Sequence, residues 1–164
     1  MFTQLIEAIK KYNPGNNKIE EIENLISQMS AAELDKVDNY NYTELHWAIN
    51  NKQERICELL LSKMSSEAIN AVDKKGYTAL YYAASNGNKK IYELLINIDP
   101  KAINNFNKSG NTILHFAVGN GKKKICELIL DKNFGLIDTA NNDGYTVLHI
   151  MASGGESFLS ILNT

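Results

Sequence analysis

The side chains best suited to proton transfer or nucleophilic attack near neutral pH are three histidines and two cysteines: His46, His115, His149, Cys57 and Cys126. The histidines share one local context, in Thr43-Glu44-Leu45-His46, Thr112-Ile113-Leu114-His115 and Thr146-Val147-Leu148-His149. A catalytic or metal-binding histidine is defined by partners particular to one place, so three copies in one slot read as a structural position. With these assigned, no histidine remains for a triad, a general base or a zinc site. The cysteines also share a slot, each following an isoleucine, where a thiol serves as a small core filler. Two cysteines make neither a disulfide framework nor a thiolate zinc site. The segment Gly119-Asn120-Gly121-Lys122-Lys123-Lys124 resembles a phosphate loop only in composition. It lacks the GxxxxGK[ST] spacing and no strand precedes it, so it reads as a turn between helices. Lys89, Lys90, Lys122, Lys123 and Lys124 make a modest basic ridge, for which solvated lysines are the default reading and nucleic-acid binding the lesser one.

What positions these side chains is an internal period. Thr43, Thr78, Thr112 and Thr146 recur at intervals of 35, 34 and 34 residues, and their neighbours recur with them. Two residues before each stand Asn41, Gly76, Gly110 and Gly144; nine after stand Lys52, Gly87, Gly121 and Gly155. The first set marks the tip of a polar turn that needs positive φ. Each Thr then caps a short helix, a glycine ends it, and a second helix follows with apolar residues such as Ile91, Leu94 and Leu95 on one face. Second helices are expected to begin near Glu54, Lys89 and Lys122. Neither helix of a unit buries its apolar face alone, whereas stacked neighbours do. Residues 2–12 and 19–29 show the same amphipathic spacing around the turn Asn13-Pro14-Gly15-Asn16, which makes residues 1–36 a degenerate capping repeat. The remaining units are expected at about 37–70, 71–104, 105–138 and 139–164, the last one truncated, in one continuous domain.

Composition excludes several classes of function. The 164 residues carry 17 Lys+Arg against 19 Asp+Glu, a net charge of −2, so the whole chain does not attract polyanions or anionic membranes. No apolar run approaches the roughly 18 residues of a membrane span. MFTQLIEAIK mixes charge into its apolar positions, which argues against a secretory leader and for a cytoplasmic or otherwise intracellular protein.

These four tandem units resemble the ankyrin repeat family, whose signature is Thr-Pro-Leu-His-x-Ala. The Thr-x-Leu-His quartets named above carry the likeness, with Thr78-Ala79-Leu80-Tyr81 as a weaker copy. The family's proline is absent from all four copies, Tyr81 replaces one histidine, and Lys52 replaces one glycine. The resemblance implies an all-α fold, an ankyrin-type α-solenoid of stacked helix-turn-helix repeats joined by β-turn loops. It also implies that each histidine bonds its threonine and the adjacent turn. In such proteins partners dock on the concave face made of turn tips and first helices. Carried over, the turns supply Tyr40, Tyr42, Lys75, Tyr77, Asn111 and Tyr145, and the first helices supply Trp47, Asn51, Tyr82, Asn86, Phe116 and Asn120. Aromatic rings among small polar neighbours have the composition of a binding hot spot and its rim.

The expected function is therefore binding of another protein, with no catalysis, no cofactor, no metal, no small-molecule substrate and no membrane. The alternative is the interaction domain of a bacterial effector delivered into a host cell. Its support is the abundance of Lys, Ile and Asn, which fits an AT-rich genome. An enzyme or a nucleic-acid binder using the lysine ridge is the weaker rival. At the C-terminal end, Phe158 and Ile161 replace the charged residues that other second helices carry, which suggests self-association, a partner, sequence continuing beyond Thr164, or a short helix that tilts inward and buries both as an improvised cap.

Overall fold

The computed structural model describes residues 2–12 and 19–153. The turn at Asn13-Pro14-Gly15-Asn16 and the C-terminal Phe158 and Ile161 lie outside the described residues. Within them the chain forms eleven α-helices, two short 3-10 segments and a single isolated antiparallel bridge between Phe106 and Thr112. It divides into two compact units, residues 1–74 and 75–164.

The first unit contains α1 (Phe2–Lys11), α2 (Ile19–Gln28), α3 (Ala31–Leu34), α4 (Glu44–Asn50), α5 (Glu54–Leu61) and α6 (Ser66–Ile69). Helix α1 packs on α2 and α4, α2 packs on α5, and α4 packs on α5. The residues that bring them together follow helical spacing: Leu5, Ile6 and Ile9 on α1, Ile22 and Ile26 on α2, and Ile56, Cys57 and Leu60 on α5, all buried. The polar ends are also fixed. The Ile9 carbonyl at the end of α1 accepts hydrogen bonds from Gln53 Nε2 at 2.7 Å and Asn51 Nδ2 at 3.2 Å. They add to a bond from the Tyr12 N–H at 3.3 Å and tie down the end of α1, where the last carbonyls lack partners within the helix. Lys63 Nζ likewise donates to the Ile26 and Ser27 carbonyls at the end of α2, where a cation also suits the helix dipole.

The second unit contains α7 (Ala79–Asn86), α8 (Lys89–Ile98), α9 (Ile113–Gly119), α10 (Lys123–Lys132) and α11 (Val147–Ser153), with 3-10 segments at Pro100–Asn104 and Phe134–Asp138. Helix α7 packs on α8 and α9, and α9 on α10 and α11. Helix α7 is buried nearly all round, and its Ala79, Ala83 and Ala84 leave room for close neighbours. The long helices start at Glu54, Lys89 and Lys123, within a residue of the positions the spacing gives.

The period does not announce the connections. Each long helix is followed by a short helical segment (α3, α6 and the two 3-10 turns) before the next turn tip. Asp99 and Asn133 cap the 3-10 segments by accepting the N–H of the residue two positions on, at 3.0 and 3.1 Å.

Candidate functional site

The turn tips are built on one repeated side-chain oxygen. Asp38 Oδ1 accepts the N–H groups of Tyr40 and Tyr42 at 2.8 and 3.0 Å. Asn107 Oδ1 does the same for Ser109 and Asn111, and Asn141 Oδ1 for Asp143 and Tyr145, all at 2.9–3.0 Å. These residues stand five before their threonines, as does the buried Asp73. The period contained this slot, and a search of it for residues able to form an Asx turn would have found it. The tip residue has positive φ in each case, 62° at Asn41 and 74–83° at Gly76, Gly110 and Gly144. Inside the second unit neighbouring tips are tied by backbone: Lys108 N–H donates to the Lys75 carbonyl at 3.2 Å and Asn142 N–H to Ser109 at 3.0 Å.

Behind each tip, threonine and histidine close the start of the first helix. His46, His115 and His149 each accept the threonine N–H on Nδ1 at 3.2 Å and lie 2.8 Å from its hydroxyl. An Nδ1 that accepts carries no proton, so Nε2 holds it, and His115 Nε2 donates to the Tyr145 carbonyl of the next turn at 3.0 Å. Burial holds the His115 pKa below the ordinary imidazole value, and the Tyr145 carbonyl acts in the opposite direction. All three imidazoles close a helix cap, and His115 also braces that cap against the next turn.

Tyr81 performs half of that task. Its hydroxyl lies 2.7 Å from the carbonyls of Asn105 and Asn111, donating its one proton to either, so it reaches the next turn as His115 does. Its hydroxyl does not bond the side chain of its own threonine, and the buried Thr78 hydroxyl has no hydrogen-bond partner. The slot after the first threonine differs as well. Glu44 is fully buried where Ala79, Ile113 and Val147 stand in the other units, and neither carboxyl oxygen has a partner. Burial, reinforced by Asp35 and Asp38 and opposed by its own backbone N–H and Lys36, raises its pKa to about 8. Glu44 is therefore a neutral acid at pH 7.

The residues expected to face a partner are all partly or fully exposed, from half-buried Tyr42, Trp47, Tyr77, Tyr82, Asn86, Asn111 and Phe116 to Asn51, Lys75 and Asn120, with Tyr40 at 65% and Tyr145 at 55% exposure. In the second unit three rings meet. Tyr77 sits 4.6 Å from Phe116 and 6.0 Å from Tyr82 between centroids, both edge to face. Tyr81 supports them from below, 5.7 Å from Tyr77 and 5.6 Å from Phe116. In the first unit Trp47 is packed edge-on against Tyr42 at 5.3 Å, and Tyr40 lies 6.4 Å beyond Tyr42. Trp47 Nε1 donates to Asp38 Oδ2 at 3.0 Å, and Lys10 Nζ of α1 lies 4.1 Å from the ring centroid. The sequence did not point to either contact.

Several polar members serve the fold as well. Besides Asn51, which caps α1, Asn120 Nδ2 donates to the Phe116 carbonyl at 2.8 Å and Asn111 Oδ1 accepts from Asn141 at 2.9 Å. Tyr145 lies edge-on to His149, 6.0 Å away. Cys57 and Cys126 are buried free thiols whose pKa burial pushes up to about 12, which removes the thiolate that reactivity needs. Among the described residues no group of three or more His, Cys, Asp or Glu is placed to hold a metal ion, and no helix is long and apolar enough to cross a membrane.

Comparison with protein families gives a match to the family described as ankyrin repeats, in three overlapping copies at residues 5–105, 65–136 and 100–163. A search of curated proteins returns no match.

Proposed function

The chain belongs to the ankyrin repeat family, and from that premise we propose that it binds another protein through its turn tips and first helices and has no catalysis of its own. Repeats of this family are generally protein-protein interaction modules. The observation that carries the reading for this chain is the set of rings in the second unit. Tyr77, Tyr82 and Phe116 are locked edge to face yet stay half-exposed. A ring already fixed by its neighbours loses little conformational freedom when a partner covers it, so desolvation contributes to affinity with a small entropic penalty. Tyr42 and Trp47 offer a second fixed pair in the first unit, with Tyr40 exposed beside them. The polar residues at the tips supply the rim that selects among partners. The histidines support this reading because each is engaged in a cap, which leaves them to brace the surface.

Site-specific photo-crosslinking tests the proposal. Benzoylphenylalanine replaces Phe116 in one variant and Leu128, on α10, in another, and both are irradiated in lysates of the source cells. Discrete adducts from position 116 and none from 128 are expected. Adducts from 128 alone, or equal patterns from both, would count against this face.

A further inference from the structure

Charge is segregated within the second unit. The segments 75–92 and 105–126 each run from a turn tip through a first helix to the opening of the second helix. Together they hold seven lysines and no Asp or Glu. Lys122 is half-buried and the other six are exposed. Of the other carboxylates, Asp73 is buried in the turn just before Lys75, Glu93 lies on α8, Glu127 and Asp131 on α10, Asp99 and Asp138 in the connections that follow, and the exposed Asp143 on the next turn tip. The first unit shows no such separation, since Glu44, Glu54 and Arg55 fall in its corresponding segment.

Three rows run across these two repeats. Along the tips, Lys108 N–H donates to the Lys75 carbonyl. Along the first helices, Tyr77 meets Phe116 at 4.6 Å. Along the turns between helices, the aliphatic chain of Lys122 crosses Gly87 so closely that a Cβ there would meet Lys122 Cδ at 3.1 Å. Lysines therefore stand at both ends of the first helices that carry the rings, Lys75 and Lys108 in the turns before them and Lys90, Lys122 and Lys124 where the second helices open. Lys89 is paired with Glu93 at 3.6 Å, an exposed contact that offsets little of this field.

Resting on the reading of the ring cluster as a binding face, we infer that the partner segment docking on the second unit is an acidic polypeptide with aromatic or apolar side chains between its carboxylates. Its carboxylates meet the two lysine rows and its apolar groups meet Tyr77, Tyr82 and Phe116. Rim charges of one sign act mainly through association rate and selection among partners. The contact is accordingly salt-sensitive.

The probe is a fluorescently labelled random copolymer of Glu and Tyr, with an oligothymidylate in a parallel arm, and the readout is anisotropy with the full chain at low and high salt. Saturable binding of the copolymer that weakens with salt is expected. The charge-reversing triple variant Lys90→Glu, Lys108→Glu, Lys124→Glu should weaken it about tenfold or more. The milder Lys→Gln triple, used should reversal disturb folding, should weaken it less but measurably. Lys132→Glu, at the end of α10, should stay within about twofold of wild type, as expected of a charge outside the interface. No binding at low salt, an unchanged triple variant, or an equal loss in Lys132→Glu overturns the proposal. Tighter binding of the oligothymidylate, lost in the same triple variant, overturns it in favour of nucleic acid. Phe116→Ala separates the two claims. If the triple variant weakens binding and Phe116→Ala does not, the acidic partner stands and the ring cluster falls. The reverse pattern keeps the ring cluster and removes the acidic partner.

Discussion

Tyr42 and Trp47 of the first unit occupy the repeat slots that Tyr77 and Tyr82 hold in the second, but the two pairs are secured by different means. Trp47 is fixed by Asp38, which takes its N–H, and by Lys10 over its face. Tyr77 is fixed by other rings, above all Phe116. The helices behind them differ in the same way. Helix α4 begins with a buried carboxyl at Glu44, whereas α7 begins with Ala79 and α9, which carries Phe116, with Ile113, all fully buried. The Thr, Asx and positive-φ slots set the frame in both units, and the residues mounted on the frame decide its electrostatics and its cost. The first unit carries a stability penalty at the start of α4 that the second unit does not.

The largest effect comes from moving that penalty. Ile113→Glu should destabilise the chain by about 3 kcal/mol or more, because it puts an unmatched carboxyl in a buried slot. Glu44→Val should do the opposite and stabilise at pH 8 by about 2 kcal/mol or more. The pH dependence gives a sharper signature. Below about pH 4.5 the Glu44 carboxyl is protonated in folded and unfolded chains alike. Between 4.5 and about 8 the unfolded chain ionises while the folded chain keeps its proton, so stability falls as pH rises and levels off above about 8. Melting curves across that window should show the decline in wild type and a flatter profile in Glu44→Gln. A wild-type profile as flat as the variant's would place Glu44 in contact with water or a donor.

A middle-sized effect separates the two kinds of brace. Thr112→Val removes the hydroxyl that lies 2.8 Å from His115 Nδ1 and accepts the His115 N–H, leaving the backbone bond to Nδ1 in place, and should cost about 1 kcal/mol in a denaturant titration. Thr78→Val removes a buried hydroxyl that has no partner, so it should be neutral or stabilising. Equal losses at both positions would mean that Tyr81 does not leave Thr78 unmatched. The smallest effect lies at Lys52, which holds φ at 57° where the next repeats have Gly87 and Gly121. Lys52→Gly should gain roughly 0.5–1 kcal/mol by relieving a left-handed side-chain residue. A loss would mean that the Lys52 side chain contributes more than its strain costs.

Much of the frame was legible in the sequence because it rests on local rules repeated at a fixed interval. Thr before a helix, Gly at a tip and apolar residues at i, i+3 and i+4 each have a local cause, and the repetition separates them from chance. Asp38, Asn107 and Asn141 obey the same period and were legible in principle, but a turn residue draws less notice than a glycine. Trp47 bound to Asp38, Lys10 over Trp47 and Asn51 holding the end of α1 were not legible, since each joins residues that no period relates. Glu44 shows the limit most clearly. A charged residue at the first position of a helix ordinarily faces water and favours the helix dipole. Only packing reveals that this one is buried and neutral.

If the ring cluster holds a partner protein, calorimetry with the partner that crosslinks at position 116 registers the loss of a single ring. Phe116→Ala should weaken binding by roughly 2 kcal/mol or more, about thirtyfold, while Leu128→Ala leaves affinity within about twofold of wild type. Unchanged affinity in Phe116→Ala, or a greater loss in Leu128→Ala, would contradict that role.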